Sequence, residues 1–281
     1  MGRAIEVSGR KSEVGSRNKK IYSIFYTLFI ISFIFSLAGI SYALTDEEIM
    51  SIQAELKEKP VNERIAFWAE RFLGTPYDKN PLGEYVSKAT IVADEKVDCM
   101  YLTFRAVELA LSNTPEEAIR IALDKRFHSR GIIKDGRVLN YSDRFDYGED
   151  MIYSGKWGRE ITSEIGRTTR IKCSRGKAFF DVLTYGELMR TIDRLKSGDI
   201  IFFAERPDKR TADAIIKHMG IIKIEDQRPT TDDRIQKSEI REVYLIHASG
   251  LKGKGGTVKK VLLKTYINST SFAGVKVTRF P

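Results

Sequence analysis

Two cysteines and three histidines are the whole thiol and imidazole inventory of this 281-residue chain: Cys99, Cys173, His128, His218 and His247. Cys99 directly follows Asp98, a capping residue type, and opens the apolar-periodic run from Cys99 to about Ser112. A helix start offers unpaired N–H groups and partial positive charge, which favour a thiolate and lower the pKa of a thiol placed there. The competing reading is a small buried hydrophobe, the commoner fate of a lone cysteine. His218 opens the segment His218-Met219-Gly220-Ile221-Ile222, and His247 lies in Leu245-Ile246-His247-Ala248-Ser249. On adjacent antiparallel strands the two imidazoles could meet, one facing Cys99 as base and the other orienting it. Each His alone suits a structural role; the three together, each at the end of a regular element, suit a thiol hydrolase. His128 has no role in this reading.

The elements that must position these residues are legible from local signals. Thr45 with Glu48 three residues on is a capping box for a first helix. Asn62 is the expected cap of a second, whose Ile65, Trp68, Ala69 and Phe72 share a face and which Gly74 ends. Residues 78–97 read as loop. Thr114-Pro115 restarts a helix to about Lys125 with Pro at its first position. Residues 126–183 show little periodicity and read as loop and short strands, followed by a helix over Tyr185–Leu195. After Ser197-Gly198-Asp199 the pattern turns to β, with strands expected at Ile200–Ala204, His218–Ile224, Val243–Ala248, Val258–Leu263 and Gly274–Phe280. The polar stretch at 225–242 reads as an inserted loop. Helices first and an antiparallel sheet second predict an α+β fold.

Apolar residues at 42% and charged residues at 30% exclude a disordered, collagen-like or disulfide-dense chain. The net charge of +9 is unevenly spread. Residues 1–20 hold six basic against two acidic side chains, and no charge then appears from Ile21 until Asp46. Basic segment, apolar segment and small residues at Ser41 and Ala43 have the form of a signal peptide cleaved near Ala43. The alternative is a membrane anchor over residues 21–43, long enough to span a bilayer. Residues 44–281 would then be one exported domain, periplasmic or secreted. They carry 41 basic and 36 acidic side chains, a surplus too small to argue for nucleic acid. A membrane partner is expected only if the N-terminal segment is retained.

Gly74-Thr75-Pro76-Tyr77, Asp98-Cys99, Ser197-Gly198-Asp199-Ile200-Ile201, His218-Met219-Gly220-Ile221 and Ile246-His247-Ala248-Ser249, in this order, resemble the NlpC-type papain-like cysteine hydrolases of bacterial cell wall. Arg126-Phe127 with Gly131, and Ser142-Asp143-Arg144-Phe145-Asp146-Tyr147 before Gly158 and Ile161-Thr162, resemble the N-acetylmuramoyl-L-alanine amidase-like branch. The chain departs from that branch in having Asp146 where its pattern has His. The resemblance covers about residues 62–281. It implies a papain-like fold with Cys99 as nucleophile, His218 as base and His247 as the residue orienting it. It also implies Tyr77 beside the thiol, and Arg126, Arg144 and Tyr147 as contacts to sugar or peptide carboxylate. The implied substrate is a peptidoglycan fragment or muropeptide, cut at the N-acetylmuramoyl-L-alanine amide or, alternatively, within the stem between D-Glu and a diamino acid. No cofactor and no metal is called for.

Three other readings compete. A Cys99–Cys173 disulfide would remove the nucleophile in an oxidising compartment. Zinc held by Cys99, His218 and His247 has suitable ligand types, though their spacing matches no compact zinc motif. A wall-binding module without activity is the alternative of another class.

Overall fold

The computed structural model describes residues 43–173, 178–210, 214–227 and 240–281. The expected leader, but for Ala43, and the centre of the expected 225–242 loop lie outside them. Among the described residues no helix is long and apolar enough to cross a membrane.

The first helix, α1 (Asp46–Leu56), carries both halves of the capping box between Thr45 and Glu48. Helix α2 (Val61–Arg71) begins one residue before the expected cap, after Pro60. Asn62 is not its cap: its side-chain amide donates to the Ser197 carbonyl at 3.0 Å, tying α2 to the turn that leads into the sheet. Gly74, at φ +86°, then reverses the chain in a conformation open chiefly to glycine. Within the expected loop at 78–97 a short helix, α3 (Glu84–Ser87), forms because the Asp78 carboxylate accepts from the Glu84 N–H. Helix α4 (Cys99–Leu111) starts where expected, with Asp98 Oδ1 accepting from the Tyr101 N–H at 2.8 Å. Helix α5 (Pro115–Lys125) is capped by Thr114.

The stretch 126–183 is more regular than its weak periodicity suggests. It holds the hairpin β1 (Ile133–Lys134) and β2 (Arg137–Val138), helix α6 (Gly148–Ser154), strand β3 (Arg159–Glu160) and helix α7 (Thr162–Ile165). The pair β4 (Thr169–Lys172) and β5 (Phe179–Val182) follows. Helix α8 covers only Tyr185–Arg190, and a 3-10 turn takes Ile192–Arg194. Thr191 separates them, leaving helical φ/ψ while its hydroxyl donates back to the Glu187 carbonyl at 2.9 Å.

Strands β6 (Ile200–Ala204), β7 (Ile216–Gln227), β8 (Ile240–Leu251), β9 (Gly255–Leu262) and β10 (Gly274–Arg279) join β3 in an antiparallel sheet of order β3-β10-β6-β7-β8-β9. The ends of the expected 225–242 loop are strand instead, with Glu225 opposite Glu242 and Asp226 opposite Arg241. A helix the pattern did not announce, α9 (Leu263–Asn268), follows β9. The pleat sends alternate residues to opposite faces. Met219, Ile221, Ile246 and Ala248 join the core shared with α1, α2, α4 and α5. Ile222, Val243 and Leu245 join a second core with Leu188 of α8 and with Leu263 and Ile267 of α9. The fold is thus α+β, an antiparallel sheet between two helical layers.

Candidate active site

Strands β7 and β8 are paired from Gln227↔Ile240 only as far as Ile221↔Ile246. Beyond that point β7 continues along β6 to Ile216, and β8 along β9 to Leu251. The start of α4 meets this fork. The backbone N–H groups of Met219, on β7, and of Met100 lie near enough to the Cys99 sulfur to lower its pKa. His218 precedes Met219, and its Nε2 lies 2.8 Å from Nδ1 of His247, with the two rings 86° apart. With Nε2 engaged by His247, Nδ1 is the His218 nitrogen that His247 does not touch. Cys99 and His218 line one cavity of about 540 Å³ together with Tyr77, Arg144, Tyr147 and Lys252. His247, only 4% exposed, stands behind His218 rather than in the cavity wall.

An aromatic shell packs round the imidazole pair. The Phe203 ring lies 5.9 Å from that of His218, and Tyr266 of α9 lies 4.7 Å from His247 and 5.9 Å from His218. Tyr266 escapes sequence reading because nothing local marks α9 or its place beneath the strand fork.

Tyr77 lies on Gly250 of β8, where a Cβ would come within 2.3 Å of the tyrosine ring, so only glycine admits it. Its backbone N–H donates to the Gly256 carbonyl at 2.8 Å. Lys252 sits 5.6 Å from the centre of the Tyr77 ring and pairs with Asp98 Oδ2 at 3.0 Å. Arg144 and Tyr147 both reach the cavity; Arg144 Nη2 pairs with Asp146 at 2.6 Å and Nη1 donates to the Tyr141 carbonyl.

Arg126 does not reach it. Its side chain is 1% exposed, donates through Nε and Nη2 to the two Glu108 oxygens at 2.6 Å each, and gives Nη1 to the Ile91 carbonyl. The expected substrate contact is therefore corrected to a buried ion pair. A basic residue in a sequence motif carries no sign of its depth, and here the acid one helix away claims it. His128 stays outside the cavity, with its ring against Phe145. Cys99 and Cys173 are both free thiols, so the competing disulfide is absent. Among the described residues no group of three or more His, Cys, Asp and Glu is arranged to hold a metal ion.

The electrostatics depart from the helix-start expectation. Burial pushes the Cys99 thiol up to about 12, and the Asp98 carboxylate adds to the rise. The Met219 and Met100 N–H groups and Lys252 pull the other way without overcoming it. Burial also pushes His218 down to about 3, helped by His247, and His247 down to about 4, helped by Lys259. The resting site accordingly holds a neutral thiol and neutral imidazoles. Desolvation penalises every charged form here, and it outweighs the stabilisation offered by one helix terminus.

Both histidines bind a proton more readily unfolded than folded. Stability from this pair is complete above about pH 6.5 and is lost as pH falls towards 3. Denaturant midpoints measured between pH 8 and pH 4 should fall on the acid side, and a His218→Gln/His247→Gln double variant should flatten that slope. An unaltered slope in the double variant would place the acid sensitivity elsewhere.

No family model matches the chain, and no curated protein matches it. Solved structures do. An N-acetylmuramoyl-L-alanine amidase from Bacteroides uniformis superposes with a TM-score of 0.56 at 19% identity, over 78% of this chain and 98% of that one. Protein LPG0564 from Legionella pneumophila, of the family DUF1460, superposes with a TM-score of 0.58 at 15% identity, over 84% of this chain and 94% of that one. At these identities the shared property is the fold, and it spans nearly the whole of both other chains.

Proposed function

We propose that this chain is a cysteine-dependent hydrolase of NlpC-type, papain-like construction that cleaves the N-acetylmuramoyl-L-alanine amide of murein fragments. The observation that carries the reading is the fork between β7 and β8. There Cys99 and His218 line one cavity, and the far nitrogen of that imidazole is already engaged by His247. The shared fold with an N-acetylmuramoyl-L-alanine amidase supports the choice of substrate.

In this reading His218 acts as a general base, because thiol and imidazole rest neutral. As Cys99 Sγ bonds to the muramoyl carbonyl carbon, its proton passes to His218 Nδ1. In this reading the Cys99 N–H, at the start of α4, donates to the oxyanion. His247 holds the ring and shares its transient charge. The imidazolium then protonates the alanine nitrogen, the C–N bond breaks, and the stem peptide leaves. Water attacks the thioester, giving its proton to His218, which returns it to the departing sulfur. Arg144 and Tyr147 contact the substrate from the cavity wall, and Tyr77 closes the side next to the thiol.

Defined muropeptides incubated with the purified chain and weighed by mass spectrometry test the assignment. Release of intact stem peptide is the expected result. A shortened stem still joined to sugar would replace the amidase with the stem endopeptidase. No turnover together with tight retention of the fragments would leave only a wall-binding module. Residues 1–43 act in this proposal as an export signal, so the mature protein should begin at Leu44; a protein recovered with its apolar segment intact would be the anchored form.

A further inference from the structure

The strand that carries His218 is irregular where it enters the cavity. Phe203 of β6 faces His218, but the next residue, Ala204, faces Ile216, so Lys217 has no partner across the ladder. Such a bulge breaks the alternation of side chains between the two faces and re-aims the extra residue. Ile216, Lys217, His218 and Met219, four consecutive residues, consequently all line the catalytic cavity. The bulge is held from behind. Glu149, 2% exposed, accepts from the Ile215 and Ile216 N–H groups at 3.0 and 3.2 Å. Gly148 packs so closely on Ile216 that a Cβ would come within 2.6 Å of it.

The charges lining the cavity are Asp98, Asp146, Arg144, Lys217 and Lys252. Asp98 is paired with Lys252 at 3.0 Å and Asp146 with Arg144 at 2.6 Å. Lys217 is exposed and makes no ion pair or hydrogen bond among the described residues. The cavity's unmatched positive charge is therefore at Lys217, one residue from the catalytic imidazole and on a braced segment of backbone.

We propose that Lys217 is a specificity-determining residue that selects substrates with a free carboxylate on the peptide side of the scissile amide. This rests on the amidase reading, in which an acidic residue follows the alanine whose nitrogen leaves. A lysine supplies a compact positive charge with three donors, suited to a carboxylate whose exact approach varies. Either carboxylate of that acidic residue, the α or the side-chain group, has the required chemistry.

Four substrates distinguish them: N-acetylmuramoyl-L-Ala-D-Glu, its two single carboxamides and its double carboxamide. The wild-type chain should cleave the diacid with kcat/KM about tenfold above the double carboxamide, mainly through KM. Lys217→Ala should erase that ratio, and Lys217→Arg should restore most of it. The single carboxamide that behaves like the double one identifies the carboxylate recognised. Equal cleavage of diacid and double carboxamide by wild type overturns the proposal and leaves the amidase reading standing. So does a Lys217→Ala variant that keeps the wild-type ratio. If wild type cleaves none of the four, the amidase reading falls. Binding of L-Ala-D-Glu and its double carboxamide then judges Lys217 alone: a preference lost in Lys217→Ala upholds it, and equal affinities overturn it.

Discussion

Cys99→Ala reduces turnover of the muropeptide amide to background, a loss of roughly three to six orders of magnitude in kcat if Cys99 forms the covalent intermediate. The expectation rests on the site having no substitute. Cys173 does not line the cavity that Cys99 and His218 share. Cys99→Ser should be nearly as inactive, since an alkoxide is harder to form than a thiolate in a pocket that already pushes the thiol up to about 12. Stability should change little in either variant, because the sulfur contributes a small side chain at a half-buried position. The decisive readout is a pair of measurements, product by mass spectrometry and melting temperature on the same preparation. Wild-type turnover in a folded Cys99→Ala chain would sink the thiol mechanism. In wild type, rapid acid quenching should trap an acyl group on Cys99 during turnover, which neither variant can accumulate as a thioester.

Arg126→Met destabilises the fold by about 3–5 kcal/mol, the range for stranding one member of a buried ion pair. Glu108 is fully buried and would keep only Arg105 Nη1 nearby, at 3.7 Å, while Arg105 itself is committed to Asp94 at 2.8 Å. The Arg126 guanidinium also lies 4.9 Å from the Tyr101 ring centre and 5.3 Å from that of Phe104, so the loss includes packing on α4. Burial works against its charge, but Glu108 more than offsets this and holds the guanidinium protonated. The double variant Arg126→Met/Glu108→Leu should recover much of the loss, because two buried charges leave together. Urea titrations of the four members of this cycle measure the coupling. KM of the folded fraction should stay near wild type. A raised KM with unchanged stability would instead return Arg126 to the substrate site.

The two results would separate what is chemical from what is architectural in motifs that look alike as text. Arg126 and Arg144 are both arginines beside an aromatic residue in the same loop-rich stretch. Only Arg144 lines the cavity, because Phe127 and Arg144 face each other across a β-bridge while the Arg126 side chain turns inward to Glu108 of α4. Sequence distance cannot show this, since the partner that decides it is 18 residues away on another element.

Local determinants were legible without coordinates. Thr45 with Glu48, Thr114 with Pro115 and Asp98 before Cys99 each start a helix through contacts of three residues' reach, and all three caps form. Apolar β-rich runs marked the five main strands, because a strand buried on its faces must be written that way. The α+β class follows from those elements. What depended on distant pairing was not readable. The 29-residue separation of His218 and His247 becomes a 2.8 Å contact only through the register of β7 on β8. The bulge that aims Lys217, the place of Tyr266 and the fork that receives Cys99 are properties of how strands meet. The protonation states are likewise tertiary. A helix start by itself favours a thiolate, yet the neutral thiol and neutral imidazoles arise from the desolvation summed over every element packed round them, a quantity set by three-dimensional burial and invisible in any one segment.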